Sequence, residues 1–255
     1  MTTMETAWLP EGLSASVAAI VIFCSFFTSA LTAAFGLGGG LALLAVMSAL
    51  MPPAAVIPVH GVAQLGSNAS RLLLQWKSVV RPIALWFIAG SVLGSAIGAR
   101  LYVEIPGAAL QALIGAFVLL SVYGPQPKAF APGVRTFFAT GAASALLSMF
   151  VGATGPIAAS MLRVAALDKL KTVATHAAAM TGQHAVKTIV FGLIGFAYAE
   201  WIFVIGAIVI AGFLGAAAGT HLLHSMPEKK FRAGFTLALT FFGCYLIGSA
   251  AFDLF

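Results

Sequence analysis

The sequence predicts an all-α polytopic membrane protein made of two inverted-topology repeats, each a glycine-broken helical hairpin followed by three transmembrane helices. Three observations predict it. First, of 255 residues 61% are hydrophobic and only 8% charged, with a mean hydropathy of +1.04; a soluble domain carries about 25% charged residues. Second, the two halves repeat in register at an offset of 116. Gly36 pairs with Gly152, Gly39 with Gly155, His60 with His176, Gly66 with Gly182 and Arg71 with Lys187. Further on the offset becomes 121, pairing Gly94, Gly98 and Pro106 with Gly215, Gly219 and Pro227. Alanine-rich helices match by chance; a histidine, a basic residue and a set of glycines in register do not. Third, the charges segregate to opposite ends of the segments in a pattern that requires the hairpins.

The segments follow in order. No charged residue occurs from Gly12 to Ser70, Ile105 to Pro127, Thr136 to Leu162, or Trp201 to Pro227, and runs beyond about 18 apolar residues indicate spanning helices. Apolar segments run over 14–51, 56–76, 82–101, 107–123, 134–166, 172–192, 201–222 and 229–252. Six have the length of one span. Segments 14–51 and 134–166 are too long for one, and each is broken by glycine: Gly36-Leu37-Gly38-Gly39-Gly40 and Gly152-Ala153-Thr154-Gly155-Pro156. Glycine costs a helix about 1 kcal/mol relative to alanine, and a cluster lets the chain reverse. Each reads as a helix–break–helix hairpin, re-entrant or made of two short spans. The first apolar segment follows an acidic Met1–Glu11 that lacks the basic start of a cleavable signal, so it is expected to be retained.

If each hairpin returns the chain to its side of entry, Lys77, Arg81, Lys128, Arg135, Arg163, Lys169, Lys171, Lys229, Lys230 and Arg232 share one side. The other receives Glu5, Glu11, Arg100, Glu104, Glu200 and Asp253. Basic residues mark the cytoplasm, so both termini are expected outside the cytoplasmic membrane. A hairpin plus three spans inverts the second repeat relative to the first. The N-terminal repeat is 1–123, the linker 124–133 with Gly124-Pro125-Gln126-Pro127-Lys128 and Ala131-Pro132-Gly133, and the C-terminal repeat 134–255, all within one transmembrane domain. The stretches Gly94 to Gly98 and Gly215 to Gly219 are small-xxx-small faces suited to close helix packing.

The formal charge of +6 is explained by the positive-inside bias and implies no nucleic-acid partner. Cys24 and Cys244 have no metal-type spacing and read as small buried residues. No His-Glu-x-x-His, Gly-x-Ser-x-Gly or phosphate-binding loop is present, so no enzyme, cofactor or metal centre is expected. Carboxylates within the membrane segments are absent, which disfavours sodium coupling and cation transport. The expected partners are a small anionic substrate and the lipid bilayer; a homo-oligomer is left open.

The breaks are the first candidate site. A broken helix exposes N–H groups at depth, tolerated only where they line a cavity or meet a ligand. The helices beginning near Leu41 and Ile157 point positive dipole ends at the breaks, so Gly38, Gly39, Gly40, Thr154 and Gly155 could hold an anion. The alternative is that the breaks are tight packing turns. The helix after each hairpin carries a polar face at spacings of three and four: His60, Gln64, Ser67, Asn68 and Arg71, then His176, Met180, Gln183, His184 and Lys187. Arg71 and Lys187 either serve the substrate or snorkel to the interface. His60 and His176 either relay protons or bond helix to helix. His221 and His224, beside Lys229 and Lys230, read as interfacial.

The run Ala33-Ala34-Phe35-Gly36-Leu37-Gly38-Gly39-Gly40-Leu41, then Met51-Pro52-Pro53-Ala54-Ala55-Val56, the basic loop near Lys77 to Arg81, and Gly94-x-x-x-Gly98-Ala99-Arg100-Leu101 resemble the TauE/SafE family. The resemblance covers nearly the whole chain. It implies an inner-membrane secondary transporter of sulfite or an organosulfonate. Two places depart from the family pattern: Gly152 to Pro156 lacks the triple glycine, and His60 stands where relatives carry a small hydroxyl residue. The rival readings are a small-anion channel and a non-transporting intramembrane protein.

Overall fold

A computed structural model describes residues 9–35, 38–102, 105–125, 131–222 and 228–254. Among these there are ten α-helices and no strand: α1 Ala15–Phe35, α2 Gly39–Leu50, α3 Pro53–Gln75, α4 Arg81–Leu101, α5 Gly107–Tyr123, α6 Val134–Val151, α7 Gly155–Val164, α8 Lys169–Leu193, α9 Ile202–Leu222 and α10 Glu228–Leu254. Gly36, Leu37, Glu5, Glu104, half of the linker including Lys128, His224 and Pro227 lie outside the described residues.

Local chemistry sets the boundaries. Prolines occupy the first turns of α3, α4 and α7, where the missing N–H costs nothing. Asp168 caps α8, its side chain accepting the Lys171 backbone N–H at 2.9 Å. That N–H, followed by the Lys171 side chain, holds the exposed carboxyl below its ordinary range. The breaks fall where the sequence places them. Gly38 caps α2 at φ 103° and Gly152 ends α6 at φ 77°, both in the left-handed region that glycine alone enters without strain. The second helices start at Gly39 and Gly155, two residues earlier than expected, with Gly38 and Thr154 in the N-cap positions and their carbonyls accepting the first helical N–H groups. With 12 and 10 residues, α2 and α7 extend about 18 and 15 Å, well short of a hydrocarbon core of about 30 Å. Neither is long enough to cross alone.

Four described helices, Ala15–Ala33, Arg81–Leu101, Val134–Val151 and Tyr198–Gly219, are long and apolar enough to cross a membrane. The molecule is an all-helical polytopic membrane protein. Helices α3 and α8 are long enough but more polar, and they pack on each other at the centre with their polar faces buried.

The glycine faces bring helices into backbone contact. Gly94 rests on the Ala142 carbonyl, and Gly215 on the Phe26 carbonyl; a Cβ at either would collide with that oxygen. The offsets of 116 and 121 carry Phe26 to Ala142 and Gly94 to Gly215, so α4 packs on α6 as α9 packs on α1. Both pairs run parallel, since Gly90 also meets Phe138 and Gly219 meets Ala30. The other two pairs, α3 with α8 and α5 with α10, join repeat-equivalent helices and run antiparallel. Val80 N–H donates to Thr175 Oγ1 at 3.0 Å while Lys187 lies beside Gly61. Gly115 abuts Leu246 and Ile247, while Tyr123 Oη pairs with Thr240 Oγ1 at 2.7 Å.

The cysteines are free, but only Cys24 is partly buried. Cys244 is exposed, contrary to its reading as a buried residue, because α10 presents one face to α5 and leaves the other outward.

Candidate functional site

Two helix N-termini and two polar helix faces converge at the centre. A Cβ on Gly152 would come 2.8 Å from Leu44 Cδ1, so the second break abuts α2, the helix that begins at the first. The faces of α3 and α8 close the space. His60, Gln64, Ser67, Asn68 and Arg71 are buried on α3; His176, Met180, Gln183, His184 and Lys187 are buried on α8.

Each break is tied to the polar face of its own repeat. His60 Nε2 lies 2.8 Å from the Gly40 carbonyl oxygen, and His176 Nε2 lies 3.2 Å from that of Gly155. The Gln64 amide packs against Gly40, where a Cβ would come 2.5 Å from Oε1. Lys187 Nζ donates to the Gly152 carbonyl at 2.7 Å. Gln183 Nε2 donates to Thr154 Oγ1 at 2.8 Å, and Ser144 Oγ stands 2.9 Å from both Thr154 Oγ1 and Gln183 Oε1. Thr154 Oγ1 is thus engaged sideways and does not cap α7. At the start of α7 Pro156 has no N–H and that of Ile157 donates to the Thr154 carbonyl at 3.0 Å, so the Gly155 N–H, which no cap side chain meets, is the one the helix end offers. On α3, Asn68 Nδ2 donates to the Gln64 carbonyl at 2.7 Å, and Arg71 Nη2 donates to Asn68 Oδ1 at 2.6 Å.

The repeats also cross over. Arg71 of α3 acts electrostatically on His176 of α8, and Lys187 of α8 acts on His60 of α3. The two interactions exchange when the repeats exchange. The His60 and His184 rings meet edge to face at 6.3 Å.

The charge balance is one-sided. Lys187 is 1% exposed and Arg71 6%. Neither snorkels; both point into protein. The described acidic side chains, Glu11, Asp168 and Glu200, are all exposed. The one ion pair among the described residues, Lys171 with Asp168 at 3.0 Å, lies on the surface. Among the described residues Lys187 meets a carbonyl and no carboxylate; burying a cation is costly, and an anion is the chemistry that relieves it.

Of the described residues singled out in the sequence, Gly40, Gly152, Thr154, Gly155, His60, Gln64, Asn68, Arg71, His176, Gln183, His184 and Lys187 are linked by these contacts, while Ser67 and Met180 are buried on the same faces. The sequence reading missed the hydroxyls opposite them. Ser144 joins the Thr154–Gln183 network, and Ser148 Oγ donates to the Gly152 carbonyl at 3.2 Å. The offset of 116 pairs them with Thr28 and Thr32, which are buried against Gly39. Applying the repeat to serine and threonine as well as glycine and histidine would have found all four.

No curated protein and no solved structure matches the chain. The family model of the sulfite exporter TauE/SafE matches residues 21–246.

Proposed function

The chain belongs to the sulfite exporter TauE/SafE family, and from that premise we propose that it is a secondary transporter of a small anion, sulfite or an organosulfonate, across the cytoplasmic membrane. It carries no catalytic role. The observation that bears most weight is the burial of Lys187 with Arg71 and three histidines between two helix N-termini, while the described acidic side chains all lie on the surface. Anionic oxygens are received by the N–H groups at Gly38 to Gly40 and at Thr154 and Gly155, and by Arg71 and Lys187, while Gln64, Asn68, Gln183 and His184 complete the lining. His60 and His176 hold the breaks through backbone carbonyls and stand ready to accompany a coupled proton.

The closure of the cluster supports a carrier over a channel. His60 and Gln183 have 0% exposure, so substrate reaches them only when the repeats move. The halves, 1–123 and 134–255, act as inverted repeats rocking about this site. Antiparallel packing of α3 on α8 and of α5 on α10 supports that reading, since an axis in the membrane plane makes equivalent helices antiparallel. A binding screen on purified protein with sulfite, thiosulfate, sulfoacetate, taurine and carboxylate analogues tests the function. The expected result is saturable binding of at least one sulfur oxyanion; binding of none overturns the proposal.

Topology has its own test. In a cysteine-free background, cysteines at Lys77 and Lys171 should be labelled from the cytoplasm and one at Glu200 from outside. The contact between Val80 and Thr175 places the first two at one end of α8 and Glu200 beyond the other. Labelling of 77 and 171 from opposite sides contradicts the arrangement.

A further inference from the structure

His60, His176 and His184 each keep a buried Nδ1 with no hydrogen-bond partner. For two of them geometry sets the tautomer. A carbonyl only accepts, so the Nε2 atoms facing Gly40 and Gly155 carry the hydrogen. In a neutral imidazole the other nitrogen, Nδ1, is then an acceptor with a free lone pair. Leaving such an atom buried and unmet is destabilising, yet it occurs at the equivalent histidine of each repeat, and the Nδ1 of His184 on α8 is likewise unmet.

Among the described residues no group supplies a hydrogen to these atoms. His60 faces Lys187 and His184 from α8, and His176 faces Arg71 from α3. Lys187 Nζ is turned to the Gly152 carbonyl, and Arg71 donates to Asn68. Helices α1 and α2 carry no charged residue, and α9 has its one titratable group, His221, in its last turn. The charges on α4, α6 and α7, namely Arg81, Arg100, Arg135 and Arg163, are exposed.

We propose that these acceptors serve the substrate: the site takes an oxyanion that carries its own hydrogen-bond donor, as hydrogen sulfite does, with its oxygens toward Lys187, Arg71 and the helix N-termini and its hydrogen toward an imidazole Nδ1. This rests on the anion-transport reading and sharpens it. Cations and helix ends alone would favour the most highly charged anion available. Lone pairs set among them reject a dianion, which offers only lone pairs in return, and select the protonated monoanion. The proton then travels on the substrate, and flux is proton-linked without any histidine changing its charge.

The test compares sulfite with methanesulfonate, a monoanion of similar shape whose charge does not change across the range and which has no donor. Binding of each to the purified full-length protein is measured from pH 6 to pH 9. Sulfite takes up its proton near neutral pH, so its apparent Kd should rise about tenfold per pH unit above that point. Methanesulfonate should bind about tenfold or more weaker at pH 6, with a flat profile. His60→Gln and His176→Gln keep an N–H for the Gly40 and Gly155 carbonyls but place no acceptor at Nδ1; each should narrow the sulfite-to-methanesulfonate ratio about tenfold. Equal affinities, or a methanesulfonate profile that strengthens in parallel as pH falls, would show that the histidines take protons from solvent; that overturns the inference and leaves the anion reading standing. Binding of neither ligand at any pH overturns both.

Discussion

Replacing Lys187 by glutamine should raise the apparent Kd for sulfite about tenfold to a hundredfold, and Arg71→Gln should do the same. Each removes one charge-assisted hydrogen bond, worth about 1.5–3 kcal/mol. Glutamine at 187 retains an N–H for the Gly152 carbonyl, which now receives Nζ at 2.7 Å, so the second break keeps a donor while the charge is lost. Lys187→Met removes both and should also lower thermal stability, because it leaves the buried Gly152 carbonyl only the longer bond from Ser148 Oγ at 3.2 Å. The contrast separates binding from folding. Calorimetric titration of detergent-purified variants reads the first and a thermal melt the second. Unchanged sulfite affinity in both glutamine variants would return the cations to a packing role.

Gly39→Ala should fail to give stable protein, and Gly155→Ala should fold but bind sulfite about tenfold more weakly. The two glycines are equivalent in the repeat and open the two short helices, yet their surroundings differ. A Cβ on Gly39 would collide with the Thr28 carbonyl oxygen and the Thr32 hydroxyl of α1. Backbone cannot step aside as a side chain can, so α2 must shift, at a cost at or above the usual 1–3 kcal/mol of overpacking. A Cβ on Gly155 meets only His176 Nε2 at 3.7 Å, an ordinary contact. The added methyl stands at the uncapped N-terminus of α7, where the substrate is to approach. Size-exclusion profiles and melts should show Gly39→Ala aggregated and Gly155→Ala near wild type. Full sulfite affinity in Gly155→Ala would make the second break a packing turn.

Much of this was legible in the sequence, for physical reasons. A break in a membrane helix needs glycine, so Gly38 and Gly152 announced their positive φ values. Buried polar faces need helical spacing, so His60 to Arg71 and His176 to Lys187 could be grouped before any contact was known. The repeat offset pointed to Gly94 and Gly215, and their backbone contacts followed. Periodicity could not say whether Arg71 and Lys187 turn inward or reach for the interface, because a long flexible side chain near a helix end can do either. Only the packing of α3 against α8 decides it. The hydroxyls of Ser144 and Ser148 were hidden for another reason. Serine is common in membrane helices, and nothing local distinguishes one that bonds its own backbone from one that reaches across to Gln183.

The central claim is that this closed, cation-bearing cluster is the substrate site of an anion carrier. It is tested most directly by counterflow in proteoliposomes holding the purified protein. Vesicles loaded with unlabelled sulfite are diluted into a trace of radiolabelled sulfite, with no pH or electrical gradient imposed. The account predicts transient accumulation of label above its external concentration, loss of the overshoot in Lys187→Gln and Arg71→Gln at subsaturating internal sulfite, and its reappearance when internal sulfite is raised. Label that only equilibrates, at a rate linear in concentration, would make the protein a channel; no protein-dependent movement of label would contradict the account.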